Sequence, residues 1–84
     1  MKIYFNIPDY ELEDLEESLR YACDEEDFQL LSDRVNYVTK LTDSYKETDS
    51  LEEFAKILKD IEKHEFLVKV QYEHDYLDLW LSPL

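Results

Sequence analysis

Not one of the 84 residues is glycine. That absence constrains every reversal of the chain. Turns and helix ends that need positive φ must use Asn, Asp or His, which enter the left-handed region more readily than other side chains. A Gly-rich phosphate loop and a dinucleotide fingerprint need glycine where the backbone approaches phosphate. The absence therefore counts against most nucleotide-using enzymes.

Within that limit the hydrophobic pattern is regular. Lys2 to Ile7 alternates, with Ile3, Phe5 and Ile7 on one side and Lys2, Tyr4 and Asn6 on the other. This is the pattern of a half-buried strand. Pro8 ends it, and Asp9 is the expected N-cap of a first helix over residues 10–23. Leu12, Leu15, Leu19 and Ala22 recur there at helical spacing. The single cysteine, Cys23, is expected as a small buried residue on that helix. Asp24-Glu25-Glu26-Asp27 marks a bend or the start of a second helix, whose face Phe28, Leu31, Val35, Val38 and Tyr45 would form through Lys46. Ser32-Asp33 is where this segment could split.

Glu47-Thr48-Asp49 reads as a polar link. Ser50-Leu51-Glu52-Glu53 matches a capping box, with Ser50 as cap and Glu53 reaching back. Leu51, Phe54, Leu58 and Ile61 form the stripe of a third helix, widened by Ala55 and Ile57. From Phe66 the period changes to two. Phe66, Val68, Val70 and Tyr72 share one face, and Leu77, Leu79 and Leu81 alternate with Tyr76, Asp78 and Trp80. Glu73-His74-Asp75 joins the two runs as a hairpin loop. The predicted order is β-α-α-α-β-β. This is an α+β fold with a small three-stranded sheet, its C-terminal hairpin packed against helices, in one small acidic domain over residues 1–84.

The chain carries 22 Asp+Glu against nine Lys+Arg, a net charge of -13. Met1 to Asp33 holds eleven acids and two bases, a balance of -9, while Arg34 to Leu84 has a balance of -4. Hydrophobic residues make up 44%, too much for a disordered acidic tail. Self-repulsion opposes compaction, and the surplus exceeds the magnitude of about 2–8 that serves solubility in a small domain. A basic partner is the expected compensation.

Enzyme motifs do not compete with that reading. The acidic run lacks EF-hand spacing, and His64 and His74 match no closed zinc set with the lone cysteine. Acids around Cys23 oppose thiolate formation. The expectation is a protein with no catalytic residue, cofactor or metal. Direct nucleic-acid binding is opposed by charge, because phosphate neutralisation supplies such affinity. Anionic lipid is likewise repelled, no targeting segment is visible, and no apolar run approaches the roughly 20 residues that span a bilayer. A soluble cytoplasmic protein without membrane contact is expected.

The acids themselves can act. Residues four apart on a helix lie about 6 Å apart along its axis, the same order as successive phosphates along their helical path. Glu13, Glu16, Glu17, Asp24, Glu25, Glu26 and Asp27, with the outer side of the third helix, are the candidate imitation of a nucleic-acid backbone. If the Ile3, Phe5 and Leu77–Leu79–Leu81 side faces the helices, Tyr4, Tyr76 and Trp80 face outward as interface anchors.

In size and acidity the whole chain resembles the small phage-encoded inhibitors of host defence, the anti-CRISPR and anti-restriction proteins that imitate nucleic acid. The resemblance is one of composition, not of motif, and carries over no residue. The function expected is a non-enzymatic acidic inhibitor that blocks a basic DNA- or RNA-binding cleft of an enzyme or effector in the host cytoplasm. The alternative is a small cytosolic adaptor or regulatory module that binds through its aromatic sheet face or by dimerisation.

Overall fold

A computed structural model describes all 84 residues. The chain is α+β. Its elements are β1 (Lys2–Asn6), α1 (Asp9–Arg20), α2 (Glu25–Thr42), β2 (Tyr45–Glu47), α3 (Leu51–Lys63), β3 (Phe66–Tyr72) and β4 (Tyr76–Pro83). The order strand, three helices, hairpin is the expected one. The short strand β2 lies between the second and third helices and makes the sheet four-stranded rather than three-stranded.

The strands run in the order β2-β1-β4-β3. β1 pairs in parallel with β4, placing Ile3 beside Leu77 and Phe5 beside Leu79. β2 and β3 are antiparallel to their neighbours and form the two edges. The inward residues Ile3, Phe5, Phe66, Leu77, Leu79 and Leu81 meet Leu15, Val38, Leu41 and Ile61 from the helices in one core. Each fully buried side chain of this kind contributes about 1.5–3 kcal/mol.

α2 is continuous across Ser32-Asp33 but stops at Thr42 rather than running to Lys46. Thr42 Oγ1 donates to the carbonyls of Val38 and Thr39, and Ser44 Oγ donates to that of Lys40. Such side-chain bonds offer the backbone an alternative to a further helical turn. Tyr45 then pairs with Tyr4 in the sheet instead of extending the helical face.

Helix starts also differ in detail. α1 opens at Asp9 after Pro8, without a side-chain cap, so Asp9 is inside the first turn rather than the N-cap. Ser50 does cap α3, accepting from Glu53 N at 3.3 Å. The Glu53 carboxylate does not reach back to Ser50 N. It accepts from Thr48 Oγ1, while Ser50 N donates to the same hydroxyl. Leu51 and Ala55 lie outside the buried side of α3, where Phe54, Ile57 and Leu58 are half-buried.

The glycine-free sequence meets its severest demand after α3. Glu65 has φ 65°, the only positive φ in the chain, so Glu stands where Asn, Asp or His was expected. The side chain gains nothing there; the surroundings hold the turn. Arg34, only 8% exposed, donates from Nη2 to Glu65 O at 2.8 Å and from Nε to His64 O at 3.2 Å. Leu84 N also donates to Glu65 O, at 3.0 Å. The guanidinium lies 5.0 Å from the Phe66 ring centroid. One turn further along α2, Tyr37 stacks on His64 at 3.7 Å and donates to Asp60 Oδ2 at 3.0 Å.

Candidate functional site

α1 and α2 are joined by the four residues Tyr21–Asp24. Between Asp9 and Asp27 the chain holds ten acids and one base, Arg20. Leu12, Leu15 and Leu19 turn α1 toward the core. Glu13, Glu16 and Glu17 are consequently exposed, with Glu13 and Glu17 one turn apart on the side away from Leu15. At the tip, every residue from Cys23 to Leu30 is exposed. The molecule as a whole is elongated. The principal extents are 44 × 23 × 19 Å, and the radius of gyration of 13.7 Å exceeds the about 12 Å of a compact chain of this length.

Local physics explains why so many acids sit there. Asp24 is the N-cap of α2 and accepts from Asp27 N at 2.8 Å. Glu25, Glu26 and Asp27 occupy the first turn, where the helix dipole favours negative charge by about 0.3–1 kcal/mol each. Lys and Arg side chains form no ion pair with any carboxylate; the contacts within 4.0 Å involve only the N-terminal ammonium and the two histidines. The hairpin's charge is therefore not cancelled by contact.

The tip also carries apolar surface. Phe28, expected on a buried helical face, is 50% exposed, Leu30 is 53% exposed and Tyr21 69%. Cys23, expected in the core, is exposed as well. Each difference has its own local cause. α1 ends at Arg20, which leaves Ala22 and Cys23 in the link, and α2 meets the core only through its later turns at Arg34, Val38 and Leu41. The outer side of α3 is not an acidic row. Lys56, Lys59 and Lys63 are interspersed among Glu52, Glu53, Asp60 and Glu62.

Tyr4, Tyr76 and Trp80 point away from the helices on the other side of the sheet, as their alternation with Ile3, Leu77, Leu79 and Leu81 requires. Tyr4 is the centre of a cluster. Its ring lies 5.4 Å from Tyr76, edge-on, and 5.7 Å from Tyr45. Glu73, desolvation and Asp78 together hold the Tyr76 phenol above its ordinary value. Asn6 Nδ2 donates to Asp78 Oδ1 at 3.2 Å. Trp80 borders a shallow recess of about 650 Å³ with Tyr10, Leu67 and Lys69.

The ten candidate residues thus fall into two groups. Seven acids line the helical hairpin, and three aromatics occupy the opposite side of the sheet. Tyr45 belongs with the second group, although its helical spacing assigned it to α2. Thr42-Asp43-Ser44, a run of residues that compete with helix, is the signal that separates them. His64 is the C-cap of α3, and His74 is exposed in the hairpin loop. No group of three or more His, Cys, Asp or Glu is arranged to hold a metal ion, and no helix is long and apolar enough to cross a membrane. No family model, curated protein or solved structure matches the chain.

Proposed function

We propose that this protein is a non-enzymatic inhibitor whose acidic helical hairpin occupies a basic DNA- or RNA-binding cleft, in the manner of anti-CRISPR and anti-restriction proteins. One observation carries this reading: Cys23–Leu30 is exposed throughout, contains Asp24–Asp27, and continues the unpaired acids of α1. An exposed run of anions along one helical hairpin fits a cleft better than charge spread around a sphere. Its contacts would replace phosphates and release the counterions held on both surfaces. Field steering would make association fast and salt-sensitive.

The test is competition for a labelled duplex or guide RNA bound to restriction endonucleases and CRISPR effectors. Displacement is expected to weaken steeply with added salt. Glu25→Lys, Glu26→Lys and Asp27→Lys together are expected to abolish it, with Trp80→Ala having little effect. Loss of activity in Trp80→Ala with retention in the triple variant would refute the assignment. Failure to displace nucleic acid from any basic partner would remove its support.

A further inference from the structure

Four side chains of the two central strands frame a shallow notch of about 380 Å³ on the side of the sheet away from the helices. They are Tyr4 and Asn6 of β1 and Tyr76 and Asp78 of β4. The parallel register puts Tyr4 beside Asp78, with Tyr76 two residues earlier on the same face. The Tyr4 and Tyr76 rings stand at 89° with their centroids 5.4 Å apart. An edge-on pair keeps ring face free, and that face is the negative side of the aromatic quadrupole. Asp78 is half-buried and forms no ion pair. Asn6 Nδ2 donates to Asp78 Oδ1 at 3.2 Å, which orients the carboxylate. Asp78 Oδ2 and Asn6 Oδ1 remain as acceptors.

We propose that this notch binds a guanidinium group, presented as an arginine side chain by a protein partner. The chemistry of the notch selects that occupant. A planar guanidinium lies against a tyrosine face while its N–H fork reaches Asp78 Oδ2 and Asn6 Oδ1. An ammonium is a compact, strongly hydrated charge without that plane. A neutral group leaves the Asp78 charge unpaired, and an anion is repelled by it. No cation of the chain lines the notch. Lys2 stands across from Tyr76 in register, yet its Nζ lies 5.0 Å from the Tyr45 ring, a cation–ring contact of the same kind on the neighbouring tyrosine. The potential at the notch is negative: Glu73, desolvation and Asp78 raise the Tyr76 phenol above its ordinary value. Free arginine brings an α-carboxylate, which Glu73 and the net charge of -13 oppose. Within a peptide that group is an amide. The contact lies across the sheet from the acidic hairpin and does not rest on the hairpin's role.

An NMR titration of the isotope-labelled full chain at physiological salt tests the proposal. The probes are Nα-acetyl-arginine methylamide, its lysine and citrulline equivalents, and free arginine. The arginine amide is expected to shift the Asn6 side-chain amide and the Tyr76 and Asp78 backbone signals, with a Kd of about 1–20 mM for one exposed contact. The lysine amide should bind about threefold weaker or more, since it lacks the fork. The citrulline amide keeps the shape without the charge and should bind about tenfold weaker or more. Free arginine should bind about twofold weaker or more. Asp78→Asn and Tyr76→Leu are each expected to weaken the arginine amide by about fivefold or more. The probe series on wild type needs no variant and stands even if a substitution unfolds the chain. Equal binding of the arginine and lysine amides, with shifts spread along the acidic helices, would overturn the proposal. So would citrulline binding as tightly as arginine, or arginine binding that neither variant weakens. Free arginine binding as tightly as its amide would overturn the assignment to a protein partner.

Discussion

Replacing Arg34 by Met isolates the group that holds the left-handed turn at Glu65. The substitution keeps a long apolar stem and removes the guanidinium. Two bonds to carbonyls are lost, one to His64 O at 3.2 Å and one to Glu65 O at 2.8 Å, together with the approach to the Phe66 ring. Hydrogen bonds from a charged donor contribute about 1.5–3 kcal/mol each. Releasing the guanidinium from burial offsets part of that sum. Leu84 N continues to satisfy Glu65 O, so one carbonyl keeps a partner. The expected net cost is about 2–3 kcal/mol, which lowers the Tm of a domain this size by about 8–24 °C. Urea unfolding followed by far-UV circular dichroism measures it. The decisive comparison is a double-mutant cycle with Glu65→Gly. A non-glycine residue in the left-handed region costs about 1–2 kcal/mol, and glycine relieves this at an entropic cost of about 0.5–1 kcal/mol. Glu65→Gly alone is therefore expected to stabilise by up to about 1.5 kcal/mol. In that background Arg34→Met is expected to cost about 0.5–1 kcal/mol less, because the turn no longer depends on it. A neutral Arg34→Met would refute the bonding described, and a strictly additive cycle would refute its link to the turn.

Two pH dependences follow from contacts elsewhere in the fold. The Met1 ammonium, 2.7 Å from Asp49 Oδ1, holds that carboxyl below its ordinary value. Its stabilising effect is complete above the ordinary value and is lost as pH falls through the lower folded one. Asp49→Asn and wild type should thus differ at neutral pH and converge in acid; a constant difference would contradict the pairing. Tyr37 behaves in the opposite sense. Desolvation, with the bond to Asp60 and its charge, raises its phenol pKa far above the ordinary value. Its contribution is intact below about pH 10 and declines as alkali ionises the unfolded state first. Phenolate absorbance should show that the last tyrosine to titrate in wild type is missing in Tyr37→Phe, while the smaller upward displacement of Tyr76 persists in both.

Much of the fold was legible where one face of an element is buried. Ile3 and Phe5, and Leu77 through Leu81, alternate because the sheet has a helix layer on one side only, and Ser50 marks the start of α3 by a bond made within its first turn. What escaped depends on partners distant in sequence or on competition at an element's end. Tyr45 continues the helical spacing of Val35 and Val38, yet hydroxyl bonds after Thr42 end α2 before reaching it. The tolerance of Glu65 for its backbone rests on Arg34, 31 residues away. Phe28 fits a helical stripe, yet it is half exposed because α2 meets the core through its later turns. At the candidate site, the acids and the outward aromatics were each identifiable from the sequence. Their separation onto opposite sides required the layer order.

The parallel pairing of β1 with β4 sets a rule for how the chain matures. One of the two central strands is the first element, and its neighbour is the last. During synthesis the three helices after β1 emerge before the partner that covers β1's free side. Until β4 leaves the ribosome, an apolar segment containing Ile3 and Phe5 must wait unzipped, with β2 its only available companion. Completion of the sheet is thus a late, nearly all-or-none closure, and a nascent chain stalled before Tyr76 would be prey to proteases and chaperones.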